Sequence, residues 1–236
     1  MGTSWLDRLE KDIVDGSARI GDVQSFCGAE SSSYNQAIDL REGLQSIEAS
    51  GPYPALPKRR REGPALVCGF AWNLMDDYAA ALKIFGSVPV FAVNRAGGAL
   101  GGDYLVSKDI NHAEGWRAKR EAFSEDKFLY IAPRRWRGVR SDWPAVDHWW
   151  PAANSGGTTA WCAVRIARFL GHSPIVLCGV PLEPGPYLTG DQGDTWTPAK
   201  LESHTHSVRS AILADQHLHK FVRSMSGWTQ ETFGAA

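Results

Sequence analysis

Residues 65–93 read Ala-Leu-Val-Cys-Gly-Phe-Ala-Trp-Asn-Leu-Met-Asp-Asp-Tyr-Ala-Ala-Ala-Leu-Lys-Ile-Phe-Gly-Ser-Val-Pro-Val-Phe-Ala-Val. Two short apolar runs, Ala65–Gly69 and Val88–Val93, bracket Asp76–Phe85, which has a helical pattern. This is a βαβ opening, and outward from it the alternation continues. Tyr104–Ser107, Phe128–Ala132 and Pro174–Gly179 read as further strands, Ala113–Ala122 and Thr158–Leu170 as helices. Such alternation predicts an α/β fold, a doubly wound, mostly parallel Rossmann-like sheet covered on both faces. Ligands of such sheets bind beyond the carboxyl ends of the strands.

The flanks divide the chain. Residues 1–50 read as a helical N-terminal segment, with Leu6, Leu9, Ile13 and Val14 at helical spacing. A helix-turn-helix there has only size and pattern behind it. Residues 51–63 form a linker, rich in proline and then basic over Lys58–Arg61. Residues 64–183 form the Rossmann-like, nucleotide-binding domain. Residues 184–236, expected as a mobile loop and a C-terminal helix, complete it, with Val208, Ala211, Ile212, Leu218, Phe221 and Val222 on the helix's apolar positions.

Composition narrows the function. The 236 residues carry a net charge of −1, which gives no reason to expect nucleic acid as a partner. No apolar run approaches the roughly 20 residues that span a bilayer, and Asp7, Glu10, Lys11 and Asp12 do not make a secretory signal, so a cytoplasmic location is expected. Cys27, Cys68, Cys162 and Cys178 include no C-x-x-C pair, which suits reduced, buried thiols. Cys68 and Cys178, near the ends of core strands, are expected to lie close together without being bonded. Ten tryptophans gather around Trp136, Trp143, Trp149 and Trp150, as ligand-stacking or core residues.

The chemistry should lie just past the strand ends. Gly69-Phe70-Ala71-Trp72-Asn73 follows the first strand, Asn94-Arg95-Ala96-Gly97-Gly98 the second, and Lys108-Asp109-Ile110-Asn111-His112 the third. Pro133-Arg134-Arg135 and Val180-Pro181-Leu182-Glu183 follow later ones. Glycine admits close backbone approach, asparagine hydrogen-bonds a base or ribose, and basic residues counter phosphate. Ser155, Gly156, Gly157 and Thr158 open a helix whose free N–H groups favour an anion, although an ordinary Ser/Thr N-cap has the same pattern. Neither G-x-G-x-x-G after the first strand nor G-x-x-x-x-G-K-[ST] occurs, which disfavours a standard dinucleotide enzyme and a P-loop NTPase. Gly97–Gly102 reads as a flexible turn or active-site loop.

The order of these motifs resembles a group of Rossmann-like glycosyltransferases and relatives. The group includes the bacterial sialyltransferases that use CMP-sialic acid, the motility accessory factor glycosyltransferases and the 6-hydroxymethylpterin diphosphokinase-like proteins. Small phage-encoded proteins with a G-x-x-G…V-L-x-G-V-P pattern are also similar. The resemblance covers about residues 64–183 and is most specific over Ser155–Thr159 and Leu170–Leu182. It implies nucleotide contacts from Gly69, Asn94, Ser155, Gly156 and Gly179, with Asn73 retained from the first turn. That turn reads Gly-Phe-Ala-Trp-Asn where the sialyltransferases have G-N-G-P-S, and Pro181 replaces the acid of G-[IV]-D.

Glycosyl transfer needs a base for the acceptor hydroxyl. The resemblance implies a late histidine; His204 and His206 fit, read as lying just before a helix, where the dipole keeps an imidazole neutral. Lys108, Asp109, His112, Arg134 and Arg135 would contact the donor or its phosphates. No metal ligand set is assigned: His204 and His206 with Glu202, Asp191 and Asp194 match no strong zinc spacing. The expected function is therefore sugar transfer from a nucleotide-sugar donor, CMP-type first. The alternatives are diphosphate transfer to a small heterocycle, which needs Mg²⁺, and a non-catalytic phage or prophage protein with a vestigial pocket. Donor sugar, acceptor and oligomeric state have no signature in the sequence.

Overall fold

The computed structural model describes residues 63–100, 102–108, 115, 116, 118, 129–133, 148–150, 158–186, 188 and 198–236. The N-terminal segment and the linker up to residue 62 lie outside the described residues. Strands β1 (Ala65–Cys68), β2 (Val90–Val93), β3 (Tyr104–Val106), β4 (Leu129–Pro133), β5 (His148–Trp150), β6 (Ile175–Cys178) and β7 (Val222–Ser224) make one sheet. Its order is β5-β4-β3-β2-β1-β6-β7, and every pairing is parallel. The chain therefore winds one way from β1 to β5, then returns to the other side of β1 for β6 and β7. That reversal puts the topological switch point between β1 and β6.

Both faces of β1, β2 and β6 are buried, which is why these central strands read as unbroken apolar runs. Ala65, Val67, Phe91, Val93, Ile175 and Leu177 face one core with helix α2 (Thr159–Phe169). Leu66, Cys68, Val90, Ala92, Val176 and Cys178 face the other, against Leu74 and Ala81 of helix α1 (Leu74–Phe85). Helix α3 (Pro198–Ala214) adds Val208 and Ile212 to the α2 side. Helix α5 (Gly227–Phe233) adds Phe233, which stacks on Trp161 at 5.5 Å between ring centroids. The doubly wound α/β fold read from the sequence is thus the fold observed. Among the described residues no helix is long and apolar enough to cross a membrane.

The C-terminal part departs from the expected long helix. α3 stops at Ala214, and Asp215 turns inward, accepting hydrogen bonds from Trp161 Nε1 at 2.5 Å and Arg165 Nε at 3.0 Å. After a single turn, α4 (Gln216–His219), Val222 enters the edge strand β7. The spacing of Leu218, Phe221 and Val222 imitates a helix, but the buried Asp215 carboxylate fixes the chain reversal. The Gly97–Gly102 reading changes too. Asn94–Gly98 is a 3₁₀ turn, and Gly97 is buried where a Cβ would lie 2.3 Å from Leu105 Cδ1. Packing against β3 requires that glycine.

Candidate functional site

Helices in a parallel α/β sheet run against the strands, so α1, α2 and α3 all begin at the carboxyl edge. The site is built from the turns that leave β1, β2, β3 and β6 there. Gly69 approaches the chain leaving β6 so closely that a Cβ on it would lie 2.5 Å from the Gly179 oxygen. Ala71 N–H donates to that oxygen at 3.2 Å, Trp72 N–H to Pro186 O at 3.3 Å, and Leu188 N–H to Phe70 O at 3.0 Å. The two turns therefore close the crevice between β1 and β6 with their own backbone. Gly69 and Gly179 serve each other's approach.

Beside this closure sits a buried polar knot. Asp77 Oδ2 accepts from Gly179 N–H at 2.9 Å, from Ser226 Oγ at 2.6 Å and from Asn73 Nδ2 at 3.1 Å. Asn73 Nδ2 also meets Ser226 Oγ. Asn73 is thus turned inward, tying α1 to the turn before α5, and its buried Oδ1 has no hydrogen-bond partner among the described residues. Burial pushes the Asp77 carboxyl above the ordinary carboxylate range, against the pull of Ser226 and Gly179 N–H. With Asp76 beside it, Asp77 makes the first turn of α1 acidic, which opposes a phosphate there.

Beneath the knot, Cys68 and Cys178 are register partners on β1 and β6, both buried and both free thiols. The sequence expectation of close, unbonded cysteines holds. The hydrogen bond with Cys178 and burial push the Cys68 thiol well up, so it stays protonated and is no nucleophile.

The other side of β1 is different in character. Asn94, directly after β2, has a left-handed backbone (φ 52°), and Arg95 and Lys108 follow the ends of β2 and β3. Basic residues thus stand over β2 and β3, while the acidic turn stands over β1. Thr158 is the N-cap of α2: its Oγ1 accepts from Trp161 N–H at 3.2 Å. The ordinary capping reading is correct for its hydroxyl. Pro181 is buried against Gly227, where a Cβ would lie 2.5 Å from Pro181 Cβ. Asp109, His112, Arg134, Arg135, Ser155, Gly156 and Gly157 lie outside the described residues.

His204 and His206 do not precede a helix. α3 begins at Pro198, so they lie in its second and third turns, and the helix-start argument for a neutral imidazole does not apply. Both are exposed. Farther along α3, Arg209 holds the carbonyl of Leu182, just past β6. At 1.5 Å per residue, His204 lies about 7.5 Å along the helix axis from Arg209, towards the start of α3. It lies at helical spacing from Val208 and Ile212, which are buried.

Among the described residues no group of three or more His, Cys, Asp or Glu is placed to hold a metal ion. Three residues of the site were missed by sequence reading: Asp77, Ser226 and Arg209. Asp77 and Ser226 are 149 residues apart, and neither belongs to a motif. No family model, curated protein or solved structure matches this chain, so its function must be argued from the geometry.

Proposed function

We propose that this chain binds a nucleotide across the carboxyl ends of β1, β2 and β3, and that it is a glycosyltransferase-like enzyme using a nucleotide-sugar donor, CMP-type first. The observation that carries the reading is the parallel strand order, which turns back at β1, together with Asn94, left-handed at the carboxyl end of β2 next to β1. Asparagine tolerates that conformation, and with its Oδ1 buried it would meet a base or ribose through its amide N–H₂ group. Because the β1–β6 crevice is closed and α1 begins with two acids, the phosphates belong on the β2–β3 side, near Arg95 and Lys108.

In the transfer step, His204 takes the proton of the acceptor hydroxyl as that oxygen bonds the anomeric carbon, whose bond to the donor phosphate oxygen breaks. The basic side chains and backbone N–H groups receive the charge on the departing phosphate.

Thermal stabilisation by CMP, UDP, GDP and ATP, each with and without Mg²⁺, tests this directly. A response to a pyrimidine nucleotide without metal supports the reading. A response to ATP only with Mg²⁺ would replace it with diphosphate transfer. Silence to all four would leave a non-catalytic protein.

A further inference from the structure

The chain leaving β6 is held at each step. Gly179 (φ 61°) gives its N–H to Asp77, Val180 O accepts from Thr229 Oγ1 at 2.8 Å, and Pro181 is pressed against Gly227. Leu182 comes next with a backbone φ of 51°. A left-handed glycine is ordinary; a left-handed leucine is not, because its Cβ crowds the following carbonyl. Among the described residues only Asn94 and Leu182 are non-glycines with positive φ, and both lie past strand ends that flank β1. Such backbone persists where the surroundings over-determine it, and it clusters at ligand clamps.

The Leu182 carbonyl is held by Arg209. Its Nε and Nη2 both donate to Leu182 O, at 3.1 and 2.6 Å. The guanidinium in turn stands 4.9 Å from the centroid of the Trp228 ring, which itself packs on the core. The fork geometry matters here, since two N–H groups on one oxygen set the direction of the carbonyl as well as its distance.

We infer that Arg209 is a positioning residue of the carboxyl-edge site. By holding Leu182 in its left-handed conformation, it directs the following residues, Glu183–Pro186, back over the turn after β1, where Pro186 O receives Trp72 N–H and Gly185 lies against the Trp72 ring. The inference rests on the carboxyl edge being the ligand site. Arg209 touches no ligand in this account; it sets the backbone that walls the pocket on its β6 side.

A double-mutant cycle on the full chain tests it, pairing Arg209→Gln with Leu182→Gly. Glycine accepts a φ of about 50° without strain, so it removes the need for the guanidinium. Two readouts are taken: hydrogen exchange of the Glu183 and Gly185 amides without ligand, and CMP affinity. Arg209→Gln should speed exchange at both amides and weaken CMP about tenfold in the wild-type background, and change either by less than about threefold in the Leu182→Gly background. Arg209→Lys, which keeps the charge and loses the fork, should behave like Arg209→Gln. Amides of β1 and α2 serve as the folding control. Equal effects in both backgrounds, or wild-type behaviour of Arg209→Gln, would overturn the positioning role. Loss of CMP binding by the wild-type chain, with the exchange cycle as expected, would instead sink the nucleotide assignment.

Discussion

The closure between β1 and β6 makes a quantitative prediction through three glycines. Gly86 has a φ of 70° with nothing near a hypothetical Cβ, so alanine there meets only backbone strain. Its ψ of −154° lies in a region almost confined to glycine, where another residue costs about 1–3 kcal/mol, offset by about 0.4–1 kcal/mol of lost unfolded-state freedom. Gly86→Ala should therefore destabilise by roughly 1–2 kcal/mol. Gly179 combines a φ of 61° with contacts of 2.8 and 2.9 Å to Leu74 Cβ and Cα. Carbon atoms rest about 3.5–4.0 Å apart, so α1 would have to shift, at an overpacking cost of about 1–3 kcal/mol. Gly179→Ala should then lose roughly 2–4 kcal/mol in all. Gly69, with no positive φ but 2.5 Å from a backbone oxygen, isolates the contact, at about 1–3 kcal/mol. Urea unfolding followed by tryptophan fluorescence and far-UV circular dichroism gives the three values. If Gly179→Ala and Gly86→Ala agree within about 0.5 kcal/mol, the close approach of the two turns is not what holds the switch point shut.

Two further predictions concern single groups. The Asp77 carboxyl is raised in the folded chain, so the folded state keeps its proton to higher pH than the unfolded state does. Its contribution to stability is then fully present below the ordinary value of 3.8 and is lost as pH rises through the folded value. The stability of the wild type minus that of Asp77→Asn should fall as pH rises from about 4 towards neutrality; a flat or rising difference would refute the burial argument. Thr158→Ala should cost about 1 kcal/mol by removing the α2 cap while leaving CMP affinity unchanged, because the hydroxyl is engaged with Trp161 N–H. A tenfold loss of affinity with no loss of stability would restore Thr158 as a ligand contact.

The central sheet was legible in the sequence because its strands are buried on both faces. Ala65–Cys68, Val90–Val93 and Ile175–Cys178 are short apolar runs with glycine or a turn behind them. The edges were not legible. His148–Trp150 and Val222–Ser224 are three residues each, too short for a period, and Val222 falls on helical spacing with Leu218. The site divides in the same way. Gly69, Asn73, Asn94 and Gly179 announce themselves as turn residues after strands. Their partners do not: Asp77 reads as an ordinary acid in a helix's first turn, Ser226 as a loop serine, and Arg209 as a surface residue of α3. Each acquires its role from the strand order, which brings β6 and β7 to the far side of β1. The histidines show the converse limit, since their residue type drew attention while the helix start they required lies at Pro198.

Isothermal titration of the full chain with CMP, alongside the Asn94→Ala variant, tests the central claim most directly. The account predicts saturable binding by the wild type without added metal. It also predicts about a tenfold loss in Asn94→Ala, equivalent to about 1.4 kcal/mol, beside a stability loss of about 1 kcal/mol, since alanine tolerates a φ of 52° less well than asparagine. Equal affinity in the two proteins, or no heat from CMP in either, would contradict a nucleotide site at the carboxyl ends of β1 and β2.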